Sequence, residues 1–302
     1  MQVSIRPYHE AKDDLARMAE LIQQAWLPER HLRANFHVGD LYWRLREPAY
    51  ARTLWLWEQT SGQICAFAEW DPSAGTLEFQ YAPSEADKEW EQASLDWAES
   101  QAAIAESRAP TLTTYATEGD AAYTALLLSR GYVREDAYYN HHYRSLDSET
   151  VEMPVVPEGY AVRYLQGEQE IESRVEGHRG GWQTQRMQVE HYRRIMQMPG
   201  YRPELDIVVV APDGTFAATC ICWLDAVSRA GLFEPVSTHP EHRRRGLARA
   251  MVLYGLRQLQ QLGARSAWVG SASANPTATR LYESCGMRVV RKDYTYKRNS
   301  SG

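Results

Sequence analysis

Nothing in this chain is long and apolar enough to suggest a membrane span. The longest aliphatic run, Ile207 to Ala211, falls far short of the roughly 20 residues a spanning helix needs. The opening residues, Met1 to Arg6, show no apolar stretch leading to a small-residue cleavage site, so a cytoplasmic location is expected. Cysteine is scarce. The four present, Cys65, Cys220, Cys222 and Cys285, have neither Cys-x-x-Cys spacing nor a secreted context, which argues against a disulfide scaffold. Cys220 and Cys222 share one face of a strand-like segment and read as buried apolar thiols. Positive charge is in deficit, and a formal net charge of -6 argues against a general nucleic-acid surface. His141 and His142 alternate faces on a terminal strand with no carboxylate at ligand spacing, so no metal site is expected.

What is present describes a globular protein. The 302 residues, 44% hydrophobic and 24% charged, fit two domains of about 150 residues each. The chain also repeats itself. Val3-Ser4-Ile5-Arg6-Pro7 returns as Tyr160-Ala161-Val162-Arg163-Tyr164, with Arg6 and Arg163 separated by 157 positions. Leu77 to Pro83 returns as Phe233 to Pro240, and Pro83 and Pro240 also differ by 157. Leu127 to Tyr132 matches Tyr282 to Met287, with Gly131 and Gly286 differing by 155. Three landmarks in one order at nearly one offset point to a duplicated fold. The predicted division is a first domain at 1–145, a linker at 146–158 punctuated by Pro154 and Pro157, and a second domain at 159–302.

Each half reads as strand, helices, three strands, helix, strand, helix, strand. In the second half, β-branched Ile207 to Ala211 is followed by Pro212-Asp213-Gly214, a hairpin turn, and Thr215 to Leu224 answers as the next strand. Gly231 to Val236 is a third strand. Gly246 to Leu262 carries apolar residues at helical spacing, including Leu247, Met251 and Tyr254, and Gly263 ends it. The fold class is α/β with a mixed sheet.

Between the Val236 strand and the Gly246 helix stands Pro240-Glu241-His242-Arg243-Arg244-Arg245-Gly246-Leu247-Ala248. A strand entering a helix through a glycine-bearing turn leaves backbone N–H groups unpaired and aims the helix dipole at an anion. Small Gly246 and Ala248 permit close approach, and the arginines add positive charge. No Gly-Lys-Ser/Thr follows, so the turn is not a nucleotide-triphosphatase loop.

Arg243-x-x-Gly246-x-Ala248 resembles the CoA-binding signature of the GNAT superfamily, Arg/Gln-x-x-Gly-x-Gly/Ala. Asn275 to Met287, with Leu281-Tyr282-Glu283 before Gly286, is similar to that family's later block, apart from Met287 where the family has Phe. The resemblance covers about 159–298 and implies the acyl-CoA N-acyltransferase fold in two tandem GNAT-like domains. The layout is similar to that of the mycothiol synthases. It further implies acetyl-CoA as cosubstrate, a ternary complex and direct attack by the amine of a small-molecule acceptor. The strand ending near Val236 would splay from Ala267 to Gly270 and receive the pantetheine arm on Val236 and Thr238. The diphosphate would lie on Arg243, Arg244, Arg245, Gly246, Leu247 and Ala248, and Asn275 would contact the arm. Tyr282 would protonate the leaving thiolate.

For the base, Leu232, Glu234 and Val236 are expected on one strand face, and Glu234 is favoured. It lies two residues beyond the family's usual glutamate, a position this chain fills with Leu232. His239, before Pro240 in the turn, is the other candidate. At the repeat offset, Arg243, Gly246 and Ala248 correspond to Ala86, Glu89 and Glu91, and Tyr282 to Leu127. A carboxylate about 4 Å from a phosphate charge repels it by on the order of 4 kcal/mol at an effective dielectric of about 20. The first half is therefore expected to be catalytically silent and to help wall the acceptor pocket. His178-Arg179-Gly180-Gly181-Trp182, between two helices, reads as a flexible segment bordering an acceptor with an anionic or ring portion. Rival readings are a CoA-responsive module without catalysis and a nucleic-acid binder using Arg243 to Arg245. Monomer and homodimer both remain open.

Overall fold

The computed structural model describes residues 3–26, 35–81, 87–104, 111–147 and 150–299. In the first half the order is β1 (Val3–Pro7), α1 (Asp14–Ala25), α2 (Val38–Arg44), β2 (Leu54–Gln59), β3 (Ile64–Asp71), β4 (Thr76–Tyr81), α3 (Asp87–Ile104), β5 (Thr111–Thr117), α4 (Ala121–Ser129) and β6 (Val133–Ser145). The second half repeats it as β7 (Ala161–Tyr164), α5 (Ile171–Trp182), α6 (Val189–Met196), β8 (Asp206–Val210), β9 (Phe216–Leu224), β10 (Ala230–Thr238), α7 (Leu247–Gln261), β11 (Ser266–Ala272), α8 (Pro276–Ser284) and β12 (Arg288–Asn299). The element order expected from the repeat is present in both halves.

All twelve strands join one mixed sheet, ordered β1-β2-β3-β4-β5-β12-β6-β11-β10-β9-β8-β7. The last strands cross over. β12 from the second half lies between β5 and β6, and β6 from the first half lies between β12 and β11. Along the chain the two series of elements meet between β6 and β7, while in space each half holds the other's final strand. Edge-to-face rings fasten this junction: Trp268 of β11 meets Tyr143 of β6 at 4.9 Å and Trp26 at 5.1 Å. The segment after β6 also packs, with Leu146 and Val151 buried against α7 and its strands.

Helices cover both faces. One core is shared by the halves: Met18, Ile22 and Leu41 from α1 and α2 join Val175, Ile195 and Trp223 from the second half. Two further cores lie beneath α7 and α8 and beneath α3 and α4. Burying a large apolar side chain contributes about 1.5–3 kcal/mol, so the shared core resists separation of the halves. Helix α2 packs on β9 and β10 of the second half. Gly39 makes that contact possible, since a Cβ there would lie 2.5 Å from Trp223 Cβ. Two polar ties fix the register: Gln23 Nε2 donates to Asp225 at 2.8 Å, and His37 Nε2 lies 3.2 Å from the Ala230 carbonyl. Inside the second half, fully buried Arg174 donates to Asp206 at 2.9 Å, and the Tyr201 hydroxyl reaches the same carboxylate at 3.0 Å. All four cysteines are buried and unbridged.

Candidate active site

Pro235 has no N–H to donate and cannot hold a regular place in a two-sided ladder. Around it the sheet opens. β10 pairs with β11 in parallel only from Ala230–Ser266 to Leu232–Trp268. Against β9 its register shifts between Phe233 and Val236, where β10 carries one extra residue. Trp223 Nε1 donates to the Glu234 carbonyl at 2.7 Å and pins this bulge. The bulge corrects the expectation that Leu232, Glu234 and Val236 share a face. Leu232 and Glu234 face a cavity, whereas Val236 packs toward the α7 core. An inserted residue restarts the alternation on the opposite side.

Beyond Thr238 the chain turns into α7. Arg244 (φ 62°) and Gly246 (φ 78°) both take left-handed backbone conformations. Among the described residues no acceptor meets the amides of Arg244 to Ala248, at the mouth of a 15-residue helix. A run of free amides with alternating backbone handedness is an anion nest, and the helix dipole reinforces it. The three arginines differ in role. Arg243, though exposed, folds back on the chain, donating to the Thr238 carbonyl at 3.1 Å and the Gly181 carbonyl at 3.3 Å, so it braces the turn. Arg245 contacts the Tyr160 hydroxyl at 3.2 Å. Arg244 is exposed and makes no hydrogen bond among the described residues. Leu247 is buried, so only its backbone is available, and Ala248 is half-buried. Asn275 is exposed and caps α8, its Oδ1 accepting from the Ala278 amide at 3.1 Å.

Tyr282, on α8, is buried, and its hydroxyl makes no hydrogen bond among the described residues. Its ring meets His142 of β6 edge-on at 5.2 Å. His142 Nε2 lies 2.9 Å from Ser271 Oγ, and burial followed by its neighbour His141 lowers its pKa to about 4, so it is neutral. Burial and the nearby Cys220, Glu234 and Tyr139 push the Tyr282 phenol well above its ordinary pKa. It is a protonated group at neutral pH. Glu234 is shifted as well: burial and the charge of Asp40 raise its carboxyl to about 7, against the pull of Arg44 and Arg46. A carboxyl at that value is only partly ionised near neutrality.

The cavity facing Glu234 encloses about 950 Å³, at the upper end for a small-molecule site. Both halves line it. From the second come Leu232, Glu234, Trp268 and Gly270; from the first come Asp40 and Arg44 of α2, Tyr139 and His141 of β6, and the opening between β4 and β5. That opening mirrors the one at β10, because β4 and β5 pair only at Thr76–Thr113. Sequence reasoning missed Asp40, Tyr139 and the pair His141–Asp293. Tyr139 reaches the cavity by lying over Gly270, where a Cβ would sit 2.1 Å from its ring. His141 Nε2 lies 2.6 Å from Asp293 of the exchanged β12, so a carboxylate does reach this histidine, from the other half. Among the described residues no group of three or more such side chains could hold a metal ion.

In the first half, Glu91 is buried and accepts from the Tyr81 hydroxyl at 3.1 Å, Glu89 is exposed, and Leu127 is fully buried. Ala86 and Pro83 lie outside the described residues. The segment His178 to Trp182 proves to be the last turn of α5 rather than a flexible link. A Cβ on Gly180 would lie 2.3 Å from His239 Cδ2, and one on Gly181 2.4 Å from Ser237 Oγ. These glycines let the helix lie on β10. Arg179 is held by Glu176 at 2.5 Å and by the Met187 carbonyl at 2.8 Å, so it is not presented to an acceptor. His239 packs on Gly180 and is absent from the cavity wall.

The model of the acetyltransferase (GNAT) family matches residues 169–287. No curated protein matches the chain. Solved structures with the same fold span its whole length. A tandem GNAT protein from the clavulanic acid biosynthesis pathway has a TM-score of 0.68 at 15% identity, covering 100% of this chain and 99% of that one. A GCN5-related N-acetyltransferase from Sphaerobacter thermophilus has 0.66 at 19%, covering 99% and 96%. The N-myristoyltransferase of Saccharomyces cerevisiae, solved with myristoyl-CoA, has 0.62 at 11%, covering 99% and 79%. Residues 169–287 thus match the GNAT family model, and the chain as a whole has the fold of a tandem GNAT protein, two such folds with their final strands exchanged.

Proposed function

We propose that this chain is an acetyl-CoA-dependent N-acetyltransferase for a small-molecule amine. Residues 159–302 carry the transfer, residues 1–145 wall the acceptor cavity, and 146–158 join them. The observation that carries this reading is the run of unpaired amides from Arg244 to Ala248 at the mouth of α7, which follows the strand whose Glu234 faces the cavity.

The residues present fit the cosubstrate. The free amides of Arg244 to Ala248 and the exposed Arg244 suit a diphosphate, and the unpaired edge of β10 at Val236 and Thr238 suits the amide-bearing arm. The thioester supplies an activated acyl carbon. An amine arrives mostly as ammonium, with a reference pKa near 10.4 for an alkylamine. Glu234 takes its proton, directly or through a water, as the N–C bond forms. Tyr282 then gives its proton to sulfur as the C–S bond breaks. Positioned acid–base groups contribute about 10²–10⁴-fold each. At the repeat offset the first half has Glu89 and Glu91 where the second has Gly246 and Ala248, which supports a walling role.

Two measurements test the proposal. Acetyl-CoA at 100 times its dissociation constant should stabilise the fold by about 2.7 kcal/mol. Thiol release across an amine panel should then identify turnover. Binding without release from any amine would favour the CoA-responsive module.

A further inference from the structure

The cavity wall carries an imbalance of charge that its own residues leave uncompensated. Arg44 is occupied by Glu69 and by Glu78, the latter at 3.3 Å, and Arg291 by Asp293 at 3.0 Å. Asp120 caps α4 by accepting from the Tyr123 amide at 3.0 Å. Of the wall carboxylates that make no ion pair among the described residues, Asp120 is used in that cap, while Asp40 and Glu234 lie near enough for the charge of Asp40 to act on Glu234. They come from different halves. Asp40 Oδ2 accepts from the His37 amide at 2.8 Å, a bond that fixes Asp40 on the first turn of α2, and His37 itself is tied to Ala230 at the start of β10. The two carboxylates therefore face one space from a rigid cross-half contact. Aromatic Trp43, Tyr139 and Trp268 border the same space.

Like charges facing one cavity raise each other's energy, and a cation between them relieves both. Aromatic faces add attraction for an ammonium. Among the described residues of the wall, a carboxylate or phosphate on the ligand would meet no uncommitted guanidinium, since Arg44 and Arg291 are already paired.

We propose that Asp40 and Glu234 hold the acceptor's ammonium between them, and that the acceptor is a cationic amine carrying no acidic group. Asp40 is a positioning residue from the half that does no chemistry. This deepens the transferase reading by naming its substrate class, and it rests on that reading for the role of Glu234. Of the anionic or ring portion expected from Arg179 and Trp182, it sets aside the anionic one.

Three amines of one chain length test it: 1,6-diaminohexane, hexylamine and 6-aminohexanoate, whose far ends are positive, neutral and negative. The first two should be acetylated, and 6-aminohexanoate should show kcat/KM at least ten-fold lower. Asp40→Asn keeps the helix cap but removes the charge. It should raise KM for the diamine at least ten-fold and leave acetyl-CoA affinity unchanged, with Asp40→Glu recovering part of the loss. The acid limb of the pH–rate profile should also move to lower pH in Asp40→Asn, as a like charge leaves Glu234. The other groups around Glu234 (Arg44, Arg46, Tyr139, His141, Tyr282, Arg291 and Asp293) are unchanged in that variant. Thermal shift by each amine alone reads binding without turnover. Stabilisation by the diamine, lost in Asp40→Asn, would support the clamp even if no thiol were released, and the transferase reading alone would then fail. Equal turnover of 6-aminohexanoate, or an unchanged KM and pH limb in Asp40→Asn, would overturn the clamp and leave the transferase reading standing.

Discussion

The indole of Trp223 donates its N–H to the carbonyl of Glu234 at 2.7 Å, tying a core residue of β9 to the bulge that turns the proposed base into the cavity. Trp223 is itself fully buried and meets Tyr42 of α2 at 5.8 Å between ring centroids. One side chain thus links the first half, the bulge and the base. Trp223→Phe should cost about 1–3 kcal/mol, from the lost hydrogen bond and the volume removed. Denaturant unfolding measures that cost. A lower kcat with unchanged acetyl-CoA affinity would show that the bond positions Glu234.

Glu234 sets the pH response. With its carboxyl near 7, turnover should rise with pH through about 7 and level off above it. Glu234→Gln should remove that limb and lower kcat by about 10²–10⁴-fold. The sign for stability is opposite. A carboxyl whose pKa is higher folded than unfolded binds more protons in the native state, so its contribution is lost as pH rises toward 7. Glu234→Gln should therefore melt at a higher temperature than the parent at pH 8, and a scan at pH 5 and pH 8 checks the difference.

Removing the Tyr282 hydroxyl should leave the fold intact, since it bonds to no described residue. Tyr282→Phe should lower kcat by about 10²-fold or more with near-normal acetyl-CoA binding. Steady-state kinetics alongside calorimetric binding separates the two effects. A variant with full turnover would remove Tyr282 from the proton path.

The arginines of the turn should respond differently to substitution. Arg244→Ala should weaken acetyl-CoA binding in a salt-dependent way with no loss of stability, because its guanidinium is exposed and bonds to no described residue. Arg243→Ala should also destabilise the turn, by about 1–2 kcal/mol, because two backbone carbonyls lose their donor. Titrations at low and high salt, paired with melting curves, distinguish a ligand contact from a brace.

Much of this architecture was legible in residue order. The strand–turn–helix at Val236 to Ala248 is local, and Gly246 is readable because few other residues tolerate its backbone angle. The duplication showed itself in Arg6 and Arg163, which occupy the same place in β1 and β7. The exchange of β6 and β12 was not legible. Each follows a short helix and a glycine, Gly131 or Gly286, and nothing local states which half supplies its neighbours. For the same reason Asp40, Tyr139 and the His141–Asp293 pair escaped notice, since they reach the cavity only through cross-half packing. One signal was available and unused: a proline inside a central strand, Pro235, marks a bulge.

The most direct measurement is a crystal structure with CoA bound. The diphosphate is expected on the amides of Arg244 to Ala248, with the thiol in the opening between Glu234 and Tyr282. A CoA lying instead between β4 and β5, with its diphosphate near Glu91, would contradict the assignment of transfer to the second half.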